Sequence, residues 1–242
     1  MPATRTPLRA DDIAAVSHEV RQPLASIRGL TEMLLGHWAE FSDEDKTDML
    51  TEVRHNAERV GRLIDELLEA SRSATSEPVL RRTETDIAAL VARVARDVRI
   101  THPELDVSLE CDTGLPPVMV DAFKVEQVLA NILQNACQHG SPAGVRVAVV
   151  LQPVLRGDVV RVSVSDNGKG INPADLRHVT EKFFRGPEGR QSGLGLGLWI
   201  SKGIVEAHGG ELVVSSVPGE GTTLCFTIPL QDGAAAGKLA GK

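Results

Sequence analysis

Apolar residues at Ile13, Val16, Val20, Leu24, Ile27, Leu30 and Leu34 follow one another in steps of three and four. Only an α-helix brings such a spacing to one side. A second stripe of the same kind runs through Met49, Val53, Ala57, Val60, Ile64 and Leu67. Between them, Phe41-Ser42-Asp43-Glu44-Asp45 reads as a turn and a fresh helix start, with Ser42 and Asp45 spaced as in a capping box. Asp11 and Asp12 suit the positive N-terminal end of the first helix. Two long helices joined by so short a loop form an antiparallel hairpin. A hairpin of about 70 residues buries one side of each helix and is marginal alone. Pairing two hairpins into a four-helix bundle buries both stripes, so a homodimer is expected.

Pro23 lies inside the first stripe, where a proline removes a helix hydrogen bond. The stripe continues past it, which predicts a bend rather than an end. Five residues earlier stand His18 and Glu19. His18 falls off the line of Val16 and Val20 and is expected to face outward. Taken alone it reads as a solvated residue. The functional alternative is an imidazole nucleophile whose ring proton the neighbouring carboxylate accepts or orients.

Composition narrows the function classes. The 242 residues carry 33 acidic against 26 basic side chains, net −7, which argues against a binder of the nucleic-acid backbone. Aromatic residues are 3% and tyrosine is absent, so a stacking platform for single strands is not expected. No apolar run approaches the ~18–20 residues that span a bilayer, and the first residues lack the apolar stretch of a signal peptide. Cys111, Cys137 and Cys225 show no paired spacing, which predicts neither a disulfide framework nor a zinc site and suits a reducing cytosol. Residues 1–77 hold 9 Lys/Arg and 15 Asp/Glu, whereas 78–242 hold 17 and 18. The polar stretch Ser71–Pro78 sits at that boundary and reads as a linker. The predicted domains are 10–73 and 78–232, with residues 233–242 a disordered tail.

Residues 78–232 mix both periodicities. Ile87–Val98, Phe123–Gln138 and Leu198–His208 predict helices, the last closed by Gly209-Gly210. Asp106–Glu110, Gly144–Leu151, Val159–Ser165, Glu211–Ser216 and Thr222–Pro229 predict strands. Helices grouped over a mixed sheet give a two-layer α/β sandwich, and the whole chain is α+β.

Four clusters in this half carry chemistry. Asn131 and Asn135 share one side of an otherwise apolar helix. They either bridge buried backbone or offer amide oxygens to magnesium, which takes oxygen ligands alongside phosphate and water. Asp166-Asn167-Gly168-Lys169-Gly170-Ile171 follows a strand. It is either an ordinary turn or an adenine-amino site that backbone can approach closely. Glu181-Lys182-Phe183-Phe184-Arg185-Gly186 places two aromatics and an arginine in a Gly/Pro-rich stretch, read as exposed aromatics of a lid or a docking patch. Gly193-Leu194-Gly195-Leu196-Gly197-Leu198 opens a helix, as a phosphate cradle does. It matches neither the dinucleotide fingerprint nor the P-loop.

Taken together, these segments resemble the sensor histidine kinases of two-component systems. Ser17-His18-Glu19-Val20-Arg21-Gln22-Pro23-Leu24 resembles the family's H box, and the four clusters resemble its N, G1, F and G2 boxes in family order over about residues 10–230. The resemblance implies a dimerisation and histidine-phosphotransfer hairpin followed by a Bergerat-type (GHKL) ATP-binding domain. It implies an ATP-dependent protein-histidine kinase that passes the γ-phosphoryl group to His18 and then to an Asp of a response-regulator receiver domain. Glu19 would act as base and Gln22 would stand at the phosphatase position. Asn135 would hold Mg2+, with Asn131 beside it. Asp166 would bond adenine, with Gly168 and Gly170 allowing close approach. Gly193, Gly195, Leu196 and Gly197 would shape the hinge and phosphate end, and Phe183 and Arg185 would belong to the lid. His139 and Gln138 stand where the family has an aromatic and a lysine, Gln22 where it has Thr or Asn, and Thr180 where the lid has its first Phe. These departures bear on nucleotide affinity and phosphatase strength rather than on class. The chain would be a cytoplasmic minimal kinase or the cytoplasmic piece of a longer membrane sensor, with ATP and Mg2+ as cofactors and no nucleic-acid partner. Two alternatives remain at this point: a non-catalytic ATP-binding signalling dimer, and an ATPase of the same superfamily. The ATPases place a water-activating Glu four residues before the magnesium Asn, where this chain has Asn131.

Overall fold

The computed structural model describes residues 10–75, 79–103, 105–139, 144–154, 157–186 and 193–230. The chain divides into two compact units, one made of Met1–Ser76 with Lys182–Gly197, the other of Glu77–Glu181 with Leu198–Lys242.

The first unit holds helices α1 (Ala10–His37) and α2 (Asp43–Thr75). α1 runs through Pro23 without ending. The predicted cap is present: the Asp45 amide donates to Ser42 Oγ at 3.1 Å and the Ser42 amide to Asp45 Oδ2 at 3.2 Å. That reciprocal pair satisfies donors that the first helical turn leaves without partners. The Ser42 hydroxyl also donates to Asp45 Oδ2 at 2.6 Å, and that bond together with the one from the Ser42 amide holds the Asp45 carboxyl below its ordinary range. One expectation needs correction. Ser71–Thr75 is not linker but the last turn of α2, because nothing in Ser-Arg-Ser-Ala-Thr breaks a helix already running. Residues 76–78 and the tail at 233–242 lie outside the described residues. The buried line of α2 is Asn56, Leu63 and Ala70, whereas Ala57 and Ile64 of the predicted stripe are exposed. Leu24 of α1 is likewise 48% exposed. The stripes are wider than the strip one partner helix can cover, so part of each stays open within a single chain.

In the second unit a five-stranded sheet takes the order β2-β4-β5-β7-β6, from β2 (Val107–Cys111), β4 (Val145–Val154), β5 (Gly157–Asp166), β6 (Leu212–Val217) and β7 (Gly221–Pro229). β2 pairs with β4 in parallel and the other pairs are antiparallel. Alternate residues Val160, Val162 and Val164 of β5 and Leu224, Phe226 and Ile228 of β7 are buried, the period of a sheet packed on one side. Helices α3 (Ile87–Thr101), α4 (Ala122–His139) and α6 (Gly197–Ala207) supply the other apolar layer through Leu90, Val91, Val94, Leu129, Ile132, Leu133, Ile200 and Ile204. A two-stranded sheet of β1 (Thr83–Thr85) and β3 (Val118–Val120), and the single turn α5 (Pro173–Leu176), escaped the sequence reading. Three-residue strands are too short to show a period. Asp86 caps α3 through Ala89 N at 2.9 Å, and Arg93 forks onto Glu126 at 2.7 and 3.0 Å to tie α3 to α4.

The start of α4 is fixed by a buried histidine. His208 Nδ1 donates to the Ile204 carbonyl at 2.8 Å, and its Nε2 accepts from the Asp121 amide at 3.0 Å. An acceptor at Nε2 requires the neutral ring. The Asp121 carboxylate in turn accepts from Arg81 N at 3.0 Å and Lys124 N at 3.2 Å, and Arg82 Nη2 donates to the Ala207 carbonyl at 3.1 Å. Burial pushes the His208 imidazole below its ordinary 6.5, and nearby Arg82 adds to this. The bond to Ile204 and the Asp121 charge pull the other way. A histidine with a lowered folded pKa lends stability that is full above its unfolded value. That stability is lost as pH falls from about 6.5 through the folded value, because the unfolded chain takes the proton first. We expect the thermal midpoint to drop between pH 7.5 and pH 5, and His208→Gln to flatten that dependence. A variant whose drop equals that of the parent chain would show that His208 is not its source.

Candidate functional site

On α1, His18 and Gln22 are exposed, one turn apart, while Glu19 and Pro23 are buried. At about 100° per residue, adjacent helix positions diverge. Glu19 therefore turns inward while His18 turns out. Both Glu19 oxygens are engaged: Oε1 accepts from Arg185 Nη1 at 2.5 Å and Oε2 from Arg59 Nη2 at 3.2 Å. The sequence reading placed Glu19 beside the His18 ring proton. The structure instead gives that carboxylate to two guanidiniums, one from α2 and one from the segment after Glu181. Neither Arg59 nor its register was legible in the sequence, because the pairing spans forty residues.

The described stretches Lys182–Gly186 and Gly193–Gly197 are tied to each other through their backbone. Phe183 takes a left-handed φ of 60° and donates its amide to the Gly195 carbonyl at 3.0 Å. Gly195 has φ 66°, and a Cβ there would overlap the Phe184 carbonyl, so only glycine fits. Leu194 and Leu196 are buried. Phe183 and Phe184, expected as exposed aromatics, are half-buried. On α2, Glu66 accepts from the Leu194 backbone amide; burial pushes its carboxyl above the ordinary range, with that bond and Arg62 opposing.

In the sheet unit, Asp166 is the last residue of β5, flanked by Val145 of β4 and Thr222 of β7. The end of an interior strand is a rigid place for a ligand-binding carboxylate. Asp166 Oδ1 accepts from Gly168 N at 2.9 Å, closing the turn. Three glycines crowd it. A Cβ on Gly168 would overlap the carbonyl of His139, the last residue of α4. One on Gly170, at φ 69°, would meet the Val217 carbonyl, and one on Gly221 the Asp166 carbonyl. Gly221 was not singled out in the sequence. Ser216 Oγ accepts from Ile171 N at 2.8 Å and donates to the Gly221 carbonyl at 2.7 Å, lacing the turn to the β6–β7 hairpin.

The Asp166 turn thus abuts the end of α4 that carries Asn135 and His139. Asn131, one turn earlier, donates through Nδ2 to the buried Ser201 Oγ at 2.8 Å and ties α4 to α6. The Asn131 amide nitrogen thus bonds a side-chain hydroxyl rather than buried backbone, and its amide oxygen is the acceptor end. Asn135 is half-buried on the same side. Among the described residues no group of three His, Cys, Asp or Glu could hold a metal alone. An amide-bearing helix beside a turn that admits only backbone suits a magnesium–nucleotide, where phosphate and water complete the coordination. The structure therefore brings Asn131, Asn135, His139, Asp166, Gly168 and Gly170 into one unit, and His18, Glu19, Gln22, Arg185, Gly193, Gly195 and Leu196 into the other.

Two family profiles match the chain in succession: "His Kinase A (phospho-acceptor) domain" over residues 5–76, and "Histidine kinase-, DNA gyrase B-, and HSP90-like ATPase" over residues 120–232. The sensor histidine kinase WalK of Bacillus subtilis (strain 168) is 32% identical over 232 residues, covering 93% of this chain and 37% of that protein. The chain thus spans little more than a third of that relative's length. Among solved structures, full-length ShkA in complex with AMPPNP aligns with a TM-score of 0.67 at 25% identity, over 94% of this chain and 47% of that one. ThkA in complex with the response regulator protein TrrA has the same fold, with a TM-score of 0.68 at 23% identity over 92% and 62% of the two chains. An exposed helical histidine, a glycine-walled Asp166 turn at the end of an asparagine-bearing helix, and two family profiles in this order together assign the chain to the sensor histidine kinases, as their phospho-acceptor and ATPase core.

Proposed function

We propose that this chain is an ATP-dependent histidine autokinase, phosphorylated on His18, that hands the phosphoryl group to an Asp of a response regulator. The observation that carries it is the Asp166 turn. A carboxylate at the end of an interior strand, walled by glycines at 168, 170 and 221, offers an acceptor for the adenine amino group where no side chain can intrude. Asn135 and the amide oxygen of Asn131 would hold Mg2+ beside the phosphates, and the ion supplies charge neutralisation on the phosphoryl oxygens. His18, exposed on α1, presents a ring nitrogen whose lone pair attacks the γ-phosphorus. The N–P bond forms, the bond to the β,γ-bridging oxygen breaks, and ADP leaves with that electron pair. The imidazolium then loses its remaining ring proton. Glu19 would accept or orient that proton once an oxygen is released from a guanidinium. The AMPPNP complex of ShkA and the regulator complex of ThkA support the nucleotide and the partner by likeness. ATP places the reaction on the cytoplasmic side of a cell. Among the described residues no helix is long and apolar enough to cross a membrane.

The ATPase alternative loses its base. The position four before Asn135 is Asn131, an amide that takes no proton from water and is bonded to Ser201. The test is incubation with γ-labelled ATP and Mg2+. We expect acid-labile, base-stable label on the chain and none on His18→Ala, which still binds nucleotide. Free phosphate without label would establish an ATPase, and label on His18→Ala would move the acceptor elsewhere.

By calorimetry, Asp166→Ala should weaken ADP and ATP alike by about tenfold or more, the worth of one hydrogen bond to a charged group. Asn135→Ala should instead remove the magnesium dependence of ATP binding. Unchanged ADP affinity in Asp166→Ala would refute the adenine role.

The open apolar positions Leu24, Ile64 and Leu68 on the two hairpin helices fit a second copy of the same hairpin. The chain is expected to sediment as a dimer, and Ile64→Glu combined with Leu24→Glu as a monomer. A monomeric parent chain would count against the four-helix bundle.

A further inference from the structure

Glu19 retains 5% of its side-chain exposure, so its charge is cut off from water and depends on its partners. The two partners differ in origin. Arg185 comes from the stretch Lys182–Gly186, tied through its backbone to Gly193–Gly197. Arg59 stands on α2 of the hairpin itself, opposite Glu19 in the antiparallel register. Arg59 keeps 28% exposure, yet its Nε is buried with no acceptor among the described residues. A buried N–H left unpaired carries a desolvation cost. A guanidinium seated for its own hydrogen bonding would turn that group to an acceptor or to water. Arg59 instead holds Nη2 on Glu19 at the expense of Nε.

We propose that Arg59 is a positioning residue for phosphorylation of His18: from within the hairpin it orients the Glu19 carboxylate independently of Arg185. This rests on the kinase reading above and extends it to a residue outside every motif of the sequence. Arg185 comes from outside the two hairpin helices, whereas Arg59 belongs to the hairpin itself. The γ-phosphoryl group must also come to His18 as an anion, and an arginine shared with Glu19 is open to exchange onto it. Arg59 then leaves Glu19 with one fixed cation and one oxygen to use, which a base needs.

The test measures label incorporation against ATP concentration in the full chain. Arg59→Ala should lower the saturating rate by about tenfold or more, as misplacing a positioned group does, while the ATP concentration for half-maximal rate stays unchanged. Arg59→Lys should restore most of the rate. In a Glu19→Gln background, Arg59→Ala should cost nothing further, the signature of two residues acting as one. A saturating rate equal to that of the parent chain in Arg59→Ala would overturn the inference alone. So would the same fold-loss with and without Glu19. If Arg59→Ala does not fold, the pair Arg59→Lys and Arg59→Gln decides. Gln slower than Lys only in the presence of Glu19 supports the role, and equal rates in both backgrounds overturn it. A parent chain that takes up no label on His18 would overturn the kinase reading itself, and this inference with it.

Discussion

A carboxylate buried between two guanidiniums governs the helical half of this protein. Glu19 sits where a hairpin would ordinarily place an aliphatic residue. Desolvating such an ion costs several kcal/mol, and removing one partner of a buried pair typically costs about 3–5 kcal/mol. An apolar pair would pack as well at less cost, so the charge brings specificity rather than stability. It sets the register of α1 on α2 through Arg59, and it gives Arg185 a defined place to dock. The consequence reaches His18. With Glu19 turned inward, the next position N-terminal to it faces outward, and the His18 imidazole is presented to whatever approaches the hairpin.

In the sheet half, helix α4 acts as a ruler held at both ends. Its start is fixed by Asp121, whose carboxylate takes two backbone amides and whose own amide is taken by His208. Its end is fixed by the His139 carbonyl, against which Gly168 packs so closely that no side chain fits. Asn131 pins the middle to Ser201. Five buried apolar residues from Val125 to Leu133 weld it to the sheet. Asn135 and Asp166 come from positions thirty-one residues apart, and this scaffold, more than any direct contact, sets their separation. A site on strand ends and helix turns holds its geometry better than one on free loops.

Much of the fold was written locally. The three-and-four stripes, the Ser42–Asp45 cap and the alternation of β5 and β7 are short-range signals, because each element's period is set by its own backbone geometry. The glycines at 168 and 170 could be picked out as positions of close approach to adenine, but not as positions that also pack against the backbone of His139 and Val217. The stripes did not show that Ala57 and Ile64 stay open within one hairpin, since period alone gives an apolar side but not how much of it one neighbour covers. They also concealed Ser71–Thr75, where polar residues simply continued a helix. β1 and β3 left no trace, being held by each other and not by a pattern.

The sequence by itself determined the order of chemistry: a histidine on a helix, amides on a second helix, an acidic turn and a glycine run, each identifiable from residue type and spacing. Tertiary structure decided the partners. That Asn131 spends its amide nitrogen on Ser201, that His208 must be neutral, and that Gly221 walls the Asp166 turn are facts of residues far apart in the chain. The same holds for Glu19, which the sequence sets beside His18 and the structure sets between Arg59 and Arg185. The reason is physical. A helix fixes which way a side chain points to within a turn, but the charge it meets there belongs to whatever packs against it, and packing is a property of the whole unit.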